Sequence, residues 1–358
     1  MNKLFTSLFF VVLCKLGFSQ NGNYSIEYKQ HYGFTIAHRQ SMLHYYEKHY
    51  LLADVSYVKN TSKKNDWQEY YGFPKYGYTA IFTNFGKSKF LGDGIGLIGF
   101  LQFEKHSKIV AFSFKIGGGF GYLFNPFDRE KNYKNIAVGS SFNGLMRLEP
   151  SLRIKLNSKL SFSTGIAITH FSNAATKTPN LGVNIATVQA GLRYSFNENK
   201  NSTSKNNVDT LTNKPKFFAT IQSGYKQVYP ANGPVYGLGA ISFSYFFHQH
   251  KKGQLGIGSE FFYSPSLREE LQQDKNQNNN NNSIPQFALN LNYEFTFGKF
   301  AIPLIFGVYV IDNIKKNGLI YQSIGLRYTA NKHLVFSSIL KSHLGKAEYN
   351  LWGVGWRW

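Results

Sequence analysis

A histidine and a serine lie two residues apart near the middle of the chain, in the stretch THFSNAATKTPNLGVN from Thr169 to Asn184. An imidazole beside a hydroxyl can take the hydroxyl proton and activate the oxygen for nucleophilic attack, provided that a third polar group orients the ring. The stretch also contains Asn, Pro and Gly, which are ordinary turn formers. Two interpretations are therefore open, a hydrolytic site or a polar hairpin loop.

The segments on either side of this stretch alternate between apolar and polar residues, which is typical of two β-strands. His170 and Ser172 share a face with the apolar residues of the first segment, LSFSTGIAITHFS, and Asn184 shares the apolar face of the returning segment. In a regular antiparallel hairpin, residues whose numbers sum to about 354 are paired, which places Asn184 opposite His170. Thr169, Gln189 and Arg193 fall on the other, more polar face.

The same period of two recurs along most of the chain. Phe287, Leu289 and Leu291 alternate with small or polar residues, and the apolar run Ala301–Ile311 is rich in β-branched and aromatic residues. Segments of about ten residues with one apolar and one polar face are typical of transmembrane β-barrels. A soluble β-sandwich or a solenoid is the alternative, but the apolar face is unusually aromatic and the segments are long for sandwich strands.

The C-terminal segment YNLWGVGWRW places Trp352, Val354, Trp356 and Trp358 on one face. It resembles the closing strand of outer-membrane barrels, whose terminal aromatic residue is read by the barrel insertion machinery. This resemblance implies that the insertion machinery is a partner and that Trp358 lies beside the first strand.

Polar connections divide the chain into alternating short turns and longer loops, as in bacterial outer-membrane barrels. The interpretation is an all-β, transmembrane antiparallel β-barrel of about 14 strands, with 12 to 16 as the range. The predicted organisation is a signal peptide at 1–20, a segment at 21–75 that is either a periplasmic lead-in or the first strands, and a barrel at 76–358. The long polar stretch 197–216 is expected to be an insert in this barrel.

The ends and the charge of the chain indicate the compartment. Residues 1–20 have a basic start and a short apolar core, which are typical of an export signal. Cys14 is the only cysteine, so the mature chain would have no disulfide and no thiol nucleophile. A net charge of +21 favours an anionic partner, and export makes phosphate-bearing lipid a better candidate than nucleic acid. A generally basic soluble surface is the alternative.

The segment HFSN followed by TKTPNLGVN resembles the active-site segment of the lipid A 3-O-deacylase (PagL-type) family, outer-membrane barrels also grouped as acyloxyacyl hydrolase-like proteins. The resemblance implies that His170 is the base and Ser172 the nucleophile, and that Asn173 and Asn180 are oxyanion or positioning residues. The close match is limited to this segment. Family enzymes of this type are small eight-stranded barrels, so the strands after about Lys216 have no counterpart in them.

The sequence departs from the family at Asn184, where the family has its catalytic Glu. An Asn can accept a hydrogen bond from the imidazole, as in Cys-His-Asn proteases, but cannot stabilise an imidazolium by charge. Glu149 is expected to pair near Ile166, too far along the hairpin to replace the missing Glu.

The prediction is an outer-membrane esterase that hydrolyses an acyl ester of lipid A or a related lipid, with Ser172, His170 and Asn184 as its catalytic residues. No cofactor and no metal are expected, and the expected partner is lipid A or lipopolysaccharide. The alternative is a non-enzymatic outer-membrane barrel, either a porin or a lipopolysaccharide-binding protein with a degenerate site.

Overall fold

The computed structural model describes residues 23–45, 49–61, 66–85, 89–107, 109–196, 216–273, 284–312 and 318–358. The export signal predicted at residues 1–20 lies outside the described residues. Most of the polar stretch 197–216 also lies outside them, and only Lys216 is described.

Eight antiparallel strands form a first closed barrel, in which β1 pairs with both β2 and β8. The strands are β1 (Tyr24–Ile36), β2 (Tyr50–Lys59), β3 (Lys75–Thr83), β4 (Gly94–His106), β5 (Val110–Leu123), β6 (Phe142–Lys155), β7 (Leu160–Ser172) and β8 (Val183–Ser195). The segment 21–75 therefore contains β1, β2 and the start of β3.

Eight further strands form a second closed barrel, in which β16 returns to pair with β9. They are β9 (Lys216–Gln227), β10 (Val235–His250), β11 (Gly253–Tyr263), β12 (Pro285–Phe297), β13 (Phe300–Ile311), β14 (Ile320–Thr329), β15 (Leu334–His343) and β16 (Lys346–Arg357). The sixteen strands fall within the predicted range and confirm the all-β barrel fold.

The strands do not, however, form the single barrel that the sequence suggested. The stretch 197–216 separates two barrels and is not an insert within one. The amide of Trp358 donates to the carbonyl of Phe217 in β9, so the last residue lies beside the first strand of the second barrel and not beside that of the chain. The physical reason is that the alternating pattern of each strand records which face is apolar, but not which distant strand closes the sheet.

The strand faces follow the predicted alternation. Leu289 and Leu291 are about half exposed on the outside of β12, whereas Ala288, Asn292 and Glu294 are buried in the interior. Outward apolar residues and a polar interior are the arrangement that a barrel needs in lipid. A lipid bilayer is therefore the environment that the outer faces of these strands fit.

Charged side chains fill the interior of the first barrel. Lys29 pairs with both Glu27 and Glu149, and Arg147 pairs with Asp54, all at 1% exposure or less. Eight strands leave an interior just wide enough for side chains to fill. Each buried charge has a partner of opposite sign, as the cost of removing ions from water requires.

The longer connections 124–141 and 173–182 lie at one end of the strands, which is called the loop end below. The opposite end, called the turn end, has tight turns such as 156–159, 251–252 and 298–299, and also the connection that contains Asp66–Tyr70. A cluster of buried apolar residues packs under the loops of the first barrel and includes Met42, Tyr45, Leu145 and Phe171. This cluster gives the loop end of the first barrel a packed foundation.

The described chain has three short helices: a 3₁₀ helix at Gln40–Tyr45, α1 at Asp66–Tyr70 and α2 at Ser266–Gln273. None of the helices in the described ranges is long and apolar enough to cross a membrane.

Candidate active site

The strands β7 and β8 carry the predicted site residues to the loop end of the first barrel. His170 pairs with Asn184 across the hairpin, as the sequence predicted. Ile166 and Ile168, on the same face of β7 as His170 and Ser172, are 53% and 49% exposed. The site residues therefore share the outward, lipid-facing side of the barrel, near its rim. The residues predicted for the interior are all buried: Thr169, Gln189 and Arg193.

A short hydrogen bond joins the first two site residues. Nδ1 of His170 lies 2.6 Å from Oδ1 of Asn184. An amide oxygen can only accept, so Nδ1 carries the hydrogen, and in the neutral ring Nε2 keeps its lone pair. In the described part of the chain no residue forms a hydrogen bond with Nε2. This ring nitrogen is therefore available to take a proton from a hydroxyl.

His38, which follows β1, adds a residue that the sequence did not predict. Its Nδ1 lies 3.0 Å from Nδ2 of Asn184, and its Nε2 lies 3.0 Å from the carbonyl oxygen of Leu181. Nε2 must donate to that carbonyl, which leaves Nδ1 as the acceptor for the Asn184 amide. Hydrogen bonds thus run from His170 to Asn184, from Asn184 to His38 and from His38 to Leu181, and every member is neutral.

The network also fixes the orientation of the Asn184 amide. If its oxygen and nitrogen were exchanged, Nδ1 of His38 would have to donate while Nε2 also donates to Leu181. That arrangement requires a charged His38 ring. The orientation with Oδ1 toward His170 satisfies all three side chains without charge.

The hydroxyl of Ser172, the last residue of β7, is held by Asn180. Nδ2 of Asn180 donates to Oγ at 3.0 Å, and the backbone amide of Ala174 donates to the same oxygen at 3.3 Å. Oδ1 of Asn180 accepts from the backbone amide of Asn173 at 3.1 Å. Two donors therefore point at the oxygen that would attack. In the described chain Ser172 makes no hydrogen bond with His170, and such bonds often tighten only when substrate is bound.

The side chain of Asn173 is turned into the loop. Its Nδ2 donates to Oγ of Ser140 at 2.8 Å and to the carbonyl of Lys177 at 2.9 Å. Both hydrogens of the amide are therefore used within the protein. This arrangement suits a residue that holds the loop better than one that binds an oxyanion.

The backbone of the loop is constrained on both sides of the site. Ala174 and Ala175 adopt positive φ angles of 53° and 61°, a region that residues with a Cβ rarely occupy outside constrained sites. Gly182 has a φ of 80°, and a Cβ at this position would lie 2.7 Å from Cε1 of His170. The glycine thus leaves room for the imidazole.

Phe171 anchors the end of β7 between the two site residues. Its side chain is fully buried in the apolar cluster under the loops. Because successive residues of a strand point to opposite faces, the burial of Phe171 directs His170 and Ser172 outward.

Glu149 does not contribute to the site. It is buried inside the barrel and pairs with Lys29, in agreement with the expectation that it lies too far along the hairpin. Within the described ranges, no group of three or more His, Cys, Asp or Glu side chains is arranged to hold a metal ion.

Comparisons with known proteins divide the chain at the boundary between the barrels. Residues 52–193 match the family model described as lipid A 3-O-deacylase (PagL). Residues 215–358 match the model described as the C-terminal domain of acyloxyacyl hydrolase. No curated protein matches the sequence.

Two solved structures to which the chain is similar have low sequence identity and low TM-scores. The crystal structure of the outer membrane enzyme PagL is 14% identical, with a TM-score of 0.31, and the match covers 46% of this chain and 97% of that one. The Pseudomonas putida toluene transporter TodX is 7% identical, with a TM-score of 0.18, and the match covers 94% of this chain and 88% of that one. Membership of a family therefore rests on the two family models, which together span both barrels: the chain belongs to the PagL-type lipid A deacylase and acyloxyacyl hydrolase family of the outer membrane.

Proposed function

We propose that this protein is a serine esterase that removes an ester-linked acyl chain from lipid A or a related lipid, with Ser172 as nucleophile and His170 as base. One observation carries the proposal. The hydrogen bond from His170 Nδ1 to Asn184 leaves Nε2 unprotonated, on the same lipid-facing side of the barrel as the Ser172 hydroxyl. A lipid ester in the outer leaflet would reach this rim without leaving the membrane.

The reaction follows from the roles of these groups. Oγ of Ser172 attacks the ester carbonyl carbon while its proton passes to Nε2 of His170. The tetrahedral intermediate then collapses, the bond to the sugar oxygen breaks, and His170 returns the proton to that oxygen. His170 then takes a proton from a water molecule that attacks the acyl-serine carbonyl, and it returns this proton to Ser172 Oγ as the Oγ–acyl bond breaks and the fatty acid is released.

Asn180 and the amide of Ala174 prepare the nucleophile. Each donates a hydrogen bond to Ser172 Oγ. The Ser172 hydroxyl itself donates to Oδ1 of Asn180 at 3.3 Å, so its proton must leave this acceptor to turn toward His170. These donors hold Oγ in place. They would stabilise the oxyanion only by turning to the ester carbonyl oxygen, where the negative charge develops. Asn173 acts as a positioning residue, since its amide holds the loop through Ser140 and Lys177.

Asn184 and His38 together take the place of the family's Glu. Asn184 orients the imidazole through Oδ1, and His38 holds the other end of the Asn184 amide through Nδ2. The pair supplies orientation and an aligned dipole but no formal charge. The proposed enzyme therefore runs with a weaker stabilisation of the imidazolium than a carboxylate would give.

The porin alternative has little support from the barrels themselves. Each has eight strands, and buried charged side chains such as Lys29, Lys115 and Arg147 fill the first one. A non-enzymatic lipid-binding barrel remains the competing outcome of the test below.

The test is fatty-acid release from lipid A vesicles by the purified protein, measured by mass spectrometry. Ser172→Ala and His170→Ala are each expected to abolish release, while the barrel still folds because both residues lie at a rim. The matched controls are Ser338→Ala, on β15 of the second barrel, and His333→Ala, at its turn end; both should retain full activity. Wild-type protein that binds lipid A without releasing fatty acid would establish the non-enzymatic alternative, and full activity in Ser172→Ala would exclude the nucleophile assignment.

A further inference from the structure

The two barrels meet directly at the loop that holds Ser172. The segment from Gln227 to Pro234, here called the bracing hairpin, connects β9 to β10 in the second barrel. The amide of Gln227 donates to the carbonyl of Ala175 at 3.1 Å. Oε1 of Gln227 accepts from the backbone amide of Thr178 at 2.8 Å and from its hydroxyl at 3.2 Å. Gln227 of the second barrel therefore forms hydrogen bonds with two residues of the 173–182 loop, Ala175 and Thr178.

Gln227 is itself held rigidly. Its Nε2 donates to the carbonyl of Gly233 at 2.9 Å, across the bracing hairpin. The amide of Val228 donates to the carbonyl of Pro234 at 3.0 Å, and both Gln227 and Val228 are buried. The acceptor oxygen thus has a fixed position before it meets the loop, which lowers the entropy cost of holding it.

Ala175 and Thr178, the two residues that Gln227 contacts, lie close in sequence to the groups that contact the nucleophile. Ala175 directly follows Ala174, whose amide donates to Ser172 Oγ. Thr178 lies two residues before Asn180, whose side chain donates to the same oxygen. The two donors to Ser172 therefore lie on the two limbs of the loop to which Gln227 is bonded.

Further contacts fix the bracing hairpin relative to the first barrel. Arg129, in the 124–141 loop, donates to the carbonyl of Ala231. At the opposite, turn end, the Tyr71 hydroxyl donates to the carbonyl of Lys252 at 2.5 Å, and the Tyr71 ring stacks on Phe297 at 4.5 Å between centroids. The barrels are thus joined at both ends, so the hairpin has a defined place beside the site.

We propose that the second barrel supplies a positioning residue, Gln227. It holds the 173–182 loop so that Ala174 and Asn180 can donate hydrogen bonds to Ser172. The effect of Gln227 on catalysis rests on the proposed function. The hydrogen bonds between Gln227 and the loop do not depend on that function. Gln227 also gives the second barrel a role at the site.

The experiment compares Gln227→Ala with wild type in the full-length protein. Misplacing catalytic groups by about 1 Å costs on the order of a hundredfold in rate, so we expect kcat to fall roughly ten- to hundredfold. KM should change little, because Gln227 contacts the loop and not the lipid-facing side of Ser172. Gln227→Glu keeps the acceptor oxygen and should retain more activity than the Ala variant.

A matched control is available in the same barrel. Oε1 of Gln322 accepts a backbone hydrogen bond from Leu344 at 2.9 Å, on a different hairpin of the loop end. Gln322→Ala should therefore leave kcat unchanged. A loss in Gln227→Ala equal to that in Gln322→Ala, or a loss that appears only in KM, would overturn the positioning role.

A second readout does not depend on activity. Hydrogen exchange at the amide of Thr178 should become faster in Gln227→Ala than in wild type and in Gln322→Ala. Unchanged protection would overturn the inference even if the protein proved to be an active esterase. If exchange at Thr178 became faster in Gln227→Ala but the wild-type protein released no fatty acid, the contact between Gln227 and the loop would be supported. Only the proposed function would then be contradicted.

Discussion

Asn184 gives the sharpest test of the proposed site, because the resemblance to the PagL-type enzymes places their catalytic acid at this position. The change Asn184→Ala removes the acceptor for His170 Nδ1, 2.6 Å away, and the donor to His38, 3.0 Å away. A neutral hydrogen bond contributes about 0.5–1.5 kcal/mol. With 1.36 kcal/mol for each tenfold change in rate, loss of the bond to His170 should lower kcat about 2- to 13-fold. Loss of a charged triad member elsewhere costs about 10⁴.

The opposite change, Asn184→Asp, adds a charge with almost no change in shape. It also replaces the donor to Nδ1 of His38 with an acceptor, so His38 must bind a proton to keep that hydrogen bond. A hydrogen bond to a charged group contributes about 1.5–3 kcal/mol, so the variant should exceed wild type by roughly tenfold in kcat. The gain should be present only where the carboxyl is ionised. It should therefore grow as pH rises through the pKa of that carboxyl and disappear in acid.

The assay is the rate of fatty-acid release from lipid A vesicles across a pH series, with equal amounts of folded protein. Asn350→Ala is a matched control, since Asn350 is a partly exposed amide of the second barrel that is hydrogen-bonded to Ser338. If Asn184→Ala and Asn184→Asp both had the wild-type rate at every pH, Asn184 would not orient His170 and the reasoning would be refuted.

Two further changes test the surroundings of His170. His38→Ala should lower kcat about 2- to 13-fold, because one neutral bond to Asn184 is lost. In a protein that already carries Asn184→Ala, His38→Ala should lower kcat very little further, because the effects of contacting residues are not additive. An equal loss of kcat in both backgrounds would contradict the shared network. His333→Ala is the control. Gly182→Ala should lower kcat at least tenfold while leaving the barrel folded, because its Cβ would lie 2.7 Å from the imidazole and its φ is 80°. Gly345→Ala, at a φ of 79° with open space around it, controls for backbone strain alone, and an equal loss of activity in both variants would exclude the proposed clash with His170.

The hairpin that carries the site was predictable because all its information is local. The alternation of apolar residues in β7 and β8 set the faces, and the short loop between them set the register that pairs His170 with Asn184. The residue of β8 that faces each residue of β7 could therefore be found by counting along the sequence. The contact between Asn180 and Ser172 followed only in part, since it depends on the conformation of the loop.

Features that depend on closure of a sheet were not predictable in the same way. His38 reaches Asn184 only because β1 pairs with β8, which places Ile36 opposite Asn184. The sequence left the segment around β1 either as a lead-in or as the first strands, so it could not bring His38 to the site. The division into two barrels was missed for the same reason, since closure between β9 and β16 joins strands that are distant in the sequence.

The position of the proposed site gives a physical reason for an amide where the resemblance places an acid. One side of the site faces lipid, where an ionised carboxylate would lose hydration that a neutral amide does not need. The network that runs from His170 through Asn184 and His38 to the Leu181 carbonyl orients the imidazole without any formal charge. In the proposed reaction, the Asn184 oxygen already faces the positive charge that develops when His170 takes the serine proton, and His38 holds the other end of the amide. The site thus keeps its orientation in the resting state and gives up part of the charge stabilisation that a carboxylate would supply.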